Sequence, residues 1–380
     1  MVEWKEYRIK DLGEVVTGNT PPTSNREYYG TEYKFIKPTD MVEGQRFVST
    51  TEEYYSELAY QKYKKCLLPP KTPCVVTIGS LGKKMCLTDT ECFTNQAVNA
   101  VIPNKENDGE FLYYAFKASV LAYVKQLDSG TTSGRENVSK SSFSKIKVRV
   151  PPLRTQQKIA SILSAYDNLI QNYKKQIEAL QTAASELYKE WFVRFRFPGY
   201  KNSRFENGIP EGWKIERLTK LVGIKYGKDH SKLDDGNIPV YGSGGIMRYC
   251  NKALYDKETV LIPRKGSLNN IMYANRPLWT VDTMFYSIML RKNFAKYLYY
   301  VLSKIDMESF NAGAALPSMT TEILSHFKII VPDNKTLELF DNKIALIFTQ
   351  IDNLQQQIAN LTQQRDLLLP RLMSGKLEVE

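Results

Sequence analysis

Histidine is nearly missing from this 380-residue chain: His230 and His326 are the only two. The five cysteines, Cys66, Cys74, Cys86, Cys92 and Cys250, form no Cys-x-x-Cys pair. A zinc site needs clustered ligands at short spacing, so the pattern argues for reduced, mostly buried thiols instead. No apolar run reaches the roughly 20 residues of a membrane helix. The opening Met1-Val2-Glu3-Trp4-Lys5-Glu6 has no signal-peptide core. Together these absences point to a cytoplasmic protein with no membrane partner. No Gly-x-x-x-x-Gly-Lys-Ser/Thr phosphate loop is present. Gly242-Ser243-Gly244-Gly245 lacks the third glycine of a dinucleotide fingerprint and reads as a turn. Val150-Pro151-Pro152-Leu153 is not the Asp/Asn-Pro-Pro-Tyr/Phe motif of amino-group DNA methyltransferases, and the acidic residues form no evident nuclease cluster. The expectation is a binding protein that does no chemistry itself and carries no catalytic residue, metal or cofactor.

What is present is repetition and positive charge. Lys158-Ile159-Ala160, Ile162 and Asp167-Asn168-Leu169 recur as Lys343-Ile344-Ala345, Ile347 and Asp352-Asn353-Leu354, at a constant offset of 185 (343 − 158 and 352 − 167). Trp4-Lys5, Arg8 and Leu12 recur as Trp213-Lys214, Arg217 and Leu221, offset 209 (213 − 4). A duplicated chain builds two similar units, which suits a target or partner that also comes in two copies. The net charge of +11 favours a polyanion, and in the cytoplasm that means nucleic acid.

Residues 4 to about 150 read as mixed and strand-rich. Cys74-Val75-Val76-Thr77-Ile78 and Ala97-Val98-Asn99-Ala100-Val101-Ile102 are short β-rich runs, and Phe111 to Val124 has helical spacing. Lys145-Ile146-Lys147-Val148-Arg149-Val150 alternates and stops at two prolines, giving a half-buried strand with one basic face. The period then changes to 3.5. Ile159, Ile162, Tyr166, Leu169, Tyr173, Leu180 and Leu187 fall on one seam of a helix from about Thr155 to about Trp191. In the second half Val260-Leu261-Ile262-Pro263 and Phe327-Lys328-Ile329-Ile330-Val331-Pro332 repeat the strand-then-proline pattern. A cleaner heptad follows, with Leu337, Ile344, Ile351 and Ile358 at one seam position and Phe340, Ile347, Leu354 and Leu361 at the other. Arg365 breaks that seam and Pro370 should end or kink the helix.

The expected fold is α+β. Two mixed α/β domains are joined by two long helices that form an antiparallel coiled coil about a pseudo-two-fold axis. The boundaries are a first domain over 1–152, a helix over 153–197, a linker over 198–212, a second domain over 213–332, and a helix with tail over 333–380. A rod of about 36 residues is about 54 Å long, close to 16 base pairs of duplex at about 3.4 Å each.

At this point the residues resemble a known family, the specificity subunits of type I restriction-modification enzymes. The resemblance rests on the duplicated plan and on Glu190-Trp191-Phe192-Val193 with Phe197-Pro198-Gly199. Ile209-Pro210-Glu211-Gly212-Trp213 opens the second half, and Leu369-Pro370-Arg371-Leu372-Met373-Ser374-Gly375-Lys376-Leu377 lies near the end. Within the domains, Thr17-Gly18-Asn19-Thr20-Pro21-Pro22 with Tyr28-Tyr29-Gly30, Tyr241-Gly242-Ser243-Gly244-Gly245-Ile246 and Ile262-Pro263-Arg264-Lys265-Gly266-Ser267 look like target-recognition motifs. Asn19 departs from the pattern, where glycine is expected. The resemblance implies two recognition domains, each reading one half of a bipartite duplex DNA target. It implies helices that act as spacer and docking platform for two methyltransferase subunits, with restriction subunits as further partners. S-adenosylmethionine, ATP and magnesium would sit on those partners.

Candidate DNA contacts follow from chemistry. The small-residue loop Gly130-Thr131-Thr132-Ser133-Gly134-Arg135-Glu136-Asn137 can approach DNA closely, with Arg135 suited to guanine and Asn137 to adenine. Its counterpart, 311–318, is uncharged and could meet thymine methyls or backbone, or merely turn. Lys83-Lys84 after Gly79-Ser80-Leu81-Gly82, and Arg264-Lys265 before Gly266-Ser267 with Asn269-Asn270, read as matching basic turns for phosphates. Lys140, Lys145, Lys147 and Arg149 could line the same face. Thr20, Tyr241 and Ser243 complete the set. Trp4 and Trp213 read as core anchors. The alternative class is a coiled-coil scaffold between proteins, with incidental positive charge.

Overall fold

The computed structural model describes residues 3–128, 136–311 and 317–379. The chain divides into two compact units, one made of residues 1–174 with 355–380, the other of 175–354.

In the first unit the strand Lys5–Arg8 pairs antiparallel with Lys147–Val150, Lys5 opposite Val150 and Arg8 opposite Lys147. The expected alternation is present: Val148 and Val150 are buried while Lys147 and Arg149 are exposed. A four-stranded sheet runs in the order Gly13–Thr17, Val98–Pro103, Pro73–Val76, Met85–Leu87. A three-stranded sheet has Tyr29–Ile36 between Glu53–Tyr55 and Cys92–Thr94, the last pair being parallel. The segment with helical spacing forms Gly109–Ala115, a π-helical turn and Leu121–Gln126. Its Phe111, Leu112 and Phe116 are fully buried and share a core with Phe143.

The second unit repeats this plan strand for strand. Lys214–Arg217 pairs with Lys328–Val331. The four-stranded sheet is Val222–Tyr226, Met284–Met289, Thr259–Pro263, Met272–Ala274. In the three-stranded sheet Ile238–Gly242 lies between Gly245–Cys250 and Trp279–Thr280, again with one parallel pair. Gly242 to Gly245 is the hairpin turn that the glycine pattern suggested. The polar stretch expected as a linker carries a short 3₁₀ turn, Tyr200–Asn202, and the hairpin Phe205–Glu206/Ile209–Pro210. Tyr200 and Ile209 pack on the second unit's core.

Each unit also holds a pair of long-helix segments. The first long helix is Leu153–Tyr188, continued by a π-helical turn to Val193. The second is Asn334–Met373. In the first unit Ile159, Ala160 and Leu163 share a core with Leu369 and Leu372, and Arg365 Nη1 lies 2.6 Å from Asp167 Oδ1. In the second unit Tyr188, Trp191 and Phe192 meet Phe340 at ring distances of 6.5, 5.8 and 4.8 Å. In the first unit Ile159 and Leu163 share a core with Leu369 and Leu372 while the later Asp167 meets the earlier Arg365, so the segments there run antiparallel.

Three details differ from the heptad reading. Pro370 does not end the second helix, which continues to Met373. Arg365 does not break its seam: at only 8% exposed it occupies a seam place and is neutralised there by Asp167 and Asp366. On the first helix Ile162 and Leu169 are each 37% exposed, whereas Gln156, Ala160, Leu163, Ser164, Ile170 and Ala184 are buried. Heptad counting selects bulky side chains, but close approach here uses small and polar ones. Ile159 is buried, and Tyr166, Tyr173 and Leu180 are half-buried. On the second helix Ile344, Ile351 and Leu354 are buried, with Ile347, Ile358 and Leu361 half-buried.

Candidate nucleic-acid interface

The two loops singled out for DNA contact have feet built in the same way. In the first unit the turn after Thr77 reverses through Gly79 (φ 65°), Ser80 (φ 48°) and Gly82 (φ 73°). Glycine suits the left-handed positions because it has no Cβ to clash. Gly79 N donates to the Glu136 carbonyl at 2.9 Å, Val138 N to the Thr77 carbonyl at 2.8 Å, and Leu81 N to the Glu136 carboxylate at 3.0 Å. Asn137 N donates to Asp128 Oδ1 at 2.8 Å, closing the base of the loop. In the second unit Gly266 (φ 87°) donates to the Pro317 carbonyl at 3.1 Å and Met319 N to the Arg264 carbonyl at 2.8 Å. Ser318 N donates to Asn311 Oδ1, also at 2.8 Å. Directly after each foot a side chain caps a short helix, Ser139 for Lys140–Ser144 and Thr320 for Thr321–Ser325.

This geometry aligns Gly79 with Gly266, so the basic residues of the two turns are not equivalent. Arg264-Lys265 precede the glycine and Lys83-Lys84 follow it. Lys83 is exposed, but Lys84 Nζ donates to the Pro38 carbonyl at 2.7 Å. Arg264 donates to the Asp282 carbonyl at 2.8 Å and lies 5.5 Å from the centre of the Tyr226 ring. Lys265 is half-buried and its backbone bridges Ser318. Asn269 uses both ends of its amide internally, donating to Asp306 at 3.1 Å and accepting from Met307 N at 2.7 Å. Asn270 donates to the Ser243 carbonyl at 2.8 Å, which brings the Gly242–Gly245 hairpin onto this turn. These amides hold loops together.

Tyr241 is displaced from the contact set. At 7% exposed it lies in the core with Val240 and Trp279, and burial pushes its hydroxyl pKa up against the opposing pull of Arg276. Tyr241 lies on the central strand of the three-stranded sheet, where Pro239, Val240 and Gly242 are buried as well, whereas the neighbouring strand exposes Ile246, Met247 and Tyr249. Thr20 is exposed and hydrogen-bonds the Gln96 side chain. Asn137 is half-buried, with its backbone bridged to Ile78. Lys140, Lys145 and Arg149 are exposed, while Lys147 is paired to Glu6 at 2.7 Å. Lys145 and Lys147 line one groove of about 670 Å³ with Ser119 and Tyr123. Thr131, Thr132 and Arg135, with the rest of 129–135, and residues 312–316 of the second loop lie outside the described residues.

Sequence reasoning missed the loop-closing residue Asp128, and it placed Asn311 in the second loop without seeing its closing role. Their signal was spacing: an acceptor side chain shortly before each loop, nine and seven residues from the amide it receives. It also looked for a glycine at Asn19, whereas the close approach in this turn is at Gly18. A Cβ on Gly18 would lie 2.1 Å from the Thr94 carbonyl oxygen, and one on Gly227 2.0 Å from that of Val281. Glycine is required at these equivalent places, and Asn19 is tolerated.

Among the described residues no cluster of His, Cys, Asp or Glu could hold a metal ion, and no helix is long and apolar enough to cross a membrane. All five cysteines are free thiols, four of them buried.

Comparison with known proteins agrees with the architecture. The family model described as "Type I restriction modification DNA specificity domain" matches residues 1–182 and again 210–365. The chain is 28% identical to the type I restriction enzyme MjaIX specificity subunit of Methanocaldococcus jannaschii, over 100% of this chain and 94% of that protein. It is 35% identical to the HindI specificity subunit of Haemophilus influenzae over 44% of this chain and 38% of that protein. The crystal structure of a type I restriction-modification S subunit from M. genitalium shares the fold, with TM-score 0.66 at 19% identity over 98% of this chain and 96% of that one. Twice-matched family model, full-length relatives and common fold coincide: the chain belongs to the type I restriction-modification DNA specificity family, the non-catalytic subunits that recognise DNA sequence.

Proposed function

We infer that this subunit reads a bipartite duplex target, one half with each recognition domain, and docks two modification subunits beside its long helices. The observation that carries the reading is the repetition of one topology, with strand pairs, sheets and loop feet in the same order in both units. A bipartite site asks for two reading surfaces built alike, and base edges supply the specificity while phosphates supply register. Lys83, Lys140, Lys145 and Arg149 are exposed cations suited to phosphate contact. Ile162, Leu169, Leu339, Leu346 and Leu367 leave apolar surface on the long helices, in keeping with partner docking there. Restriction subunits complete the assembly in the cytoplasm. S-adenosylmethionine, ATP and magnesium belong to the partners.

The test exchanges residues 1–150 for another recognition domain and maps methylated adenines with the modification subunits present. One half of the methylated sequence should change and the other persist. Loss or change of both halves refutes the division of labour. Lengthening both long helices by four residues adds about 6 Å and should widen the gap between half-sites by about two base pairs.

A further inference from the structure

The two loop feet share a feature that neither the family assignment nor net charge explains. An acceptor side chain before each loop takes the backbone N–H of the residue that re-enters the fold: Asp128 from Asn137 and Asn311 from Ser318, both at 2.8 Å. The donating residue is in each case the one whose backbone bridges the glycine turn, Asn137 to Ile78 and Ser318 to Lys265. The next residue donates back to that turn, Val138 to Thr77 and Met319 to Arg264, at 2.8 Å in both units. Acceptor, bridge and back-bond therefore form one clamp built twice, with a carboxylate in one copy and an amide in the other. A carboxylate and a carboxamide share one capability, a planar oxygen that accepts from N–H.

We propose that Asp128 and Asn311 are equivalent positioning residues: each fixes the chain register at a loop foot against the glycine turn, and thereby sets base selection at its own half-site. The inference rests on the two-half reading given above. A clamp of this kind acts through geometry, so its removal loosens discrimination more than it weakens overall attraction to DNA, which phosphate contacts dominate.

The experiment uses the full chain assembled with its modification subunits. Methylation is measured on duplexes carrying the mapped target and on duplexes with one base pair changed in either half. Asp128→Ala should lower discrimination in one half by about tenfold, the scale of a single mismatch, and leave the other half within about twofold. Asp128→Asn, which keeps a planar accepting oxygen, should retain discrimination well above that of Asp128→Ala. Asn311→Ala should mirror the effect in the other half, and Asn311→Asp should preserve selectivity. Discrimination unchanged in both alanine variants overturns the proposal, as does Asp128→Asn behaving like Asp128→Ala. If Asp128→Ala does not fold, the Asn311 pair decides; failure of both alanine variants to fold assigns the clamp to stability and overturns it. A wild-type target in one contiguous block sinks the two-half reading instead, and the Ala-versus-Asn contrast at position 128 then judges the clamp alone.

Discussion

The two recognition units are alike in strand topology and differ in the segments between their strands, most plainly in one inserted helix. Between its outer strand and the four-stranded sheet the first unit carries the helix Glu57–Tyr63, whereas the second passes from Cys250 to Thr259 without one. Ser56 caps this helix, Tyr60 stacks on Tyr33 at 4.9 Å, and Lys62 Nζ sits 4.5 Å from the centre of the Tyr28 ring. The shared parts are the strand frame, the close-approach glycines Gly18 and Gly227, and the loop feet. This added helix falls at an edge where an extra element needs only one apolar face and a cap. The frame tolerates little change because buried backbone groups must all find partners.

The helix segments offer a second contrast. The first unit fixes its pair with charge: Asp167 accepts from Arg365 and from the Tyr114 hydroxyl, both at 2.6 Å. By the 185-residue repeat, Arg365 corresponds to Leu180 (365 − 185), which is half-buried in the second unit. There the polar anchor lies elsewhere, with Lys296 Nζ 2.6 Å from Glu258 and 3.0 Å from Asp341. Asp341 and Asp167 thus hold non-equivalent positions, and the same fold is pinned by different ion pairs in its two copies.

The largest effects should come from core truncation. Phe340→Ala should cost about 3–5 kcal/mol and Leu372→Ala about 2–5 kcal/mol. Hydrogen exchange should show opening centred on the second unit for Phe340→Ala and on the first for Leu372→Ala. Equal opening of both units by either change would break the division between them. Next, Arg365→Met strands Asp167 and should cost about 3–5 kcal/mol in urea unfolding. Replacing both partners by leucine, as at position 180, should recover most of that loss; no recovery would mean that the ion pair is not what separates the two helix pairings.

A smaller effect sharpens the contrast between the helix starts. Asp333 precedes the second long helix and accepts from Thr336 N at 2.9 Å and Trp213 Nε1 at 3.1 Å, whereas Pro152 stands before the first. Burial pushes the Asp333 carboxyl up, but hydrogen bonds from Thr336 and Trp213 outweigh it and hold the group below its ordinary value. A depressed carboxylate contributes stability above the unfolded value of about 3.9, and that contribution is lost as pH falls through the lower folded value. Asp333→Ala should therefore cost about 1 kcal/mol at neutral pH, and the difference from wild type should vanish in acid melts. The smallest effect concerns binding: Lys83→Gln should reduce the slope of log affinity against log salt by about 1. Lys147→Gln should change it less, because Glu6 already neutralises that ammonium.

Duplication, the strand-proline-helix order and the second helix's heptad were legible because they rest on local periodicity. The face of the first long helix was not, because its buried stripe uses Ala160, Ser164 and Ala184 and its bulky Ile162 and Leu169 point outward. Composition identified the basic turns but not how Lys84, Arg264, Asn269 and Asn270 are spent, since that depends on carbonyls brought in from distant strands. Tyr241 was misjudged for the same reason: a tyrosine beside glycines looks available until a neighbouring strand covers it.

The first unit is assembled from two distant stretches, residues 1–174 and 355–380, with Leu369 and Leu372 completing a core begun by Ile9, Leu12 and Leu163. On a ribosome Leu163 and Leu369 emerge roughly 200 residues apart, about 10–40 s at ordinary synthesis rates. The lobe begun by residues 1–174 must wait for residues 355–380 before it can mature, while the other can settle earlier. A nonsense codon between the two stretches would then cripple the portion already made.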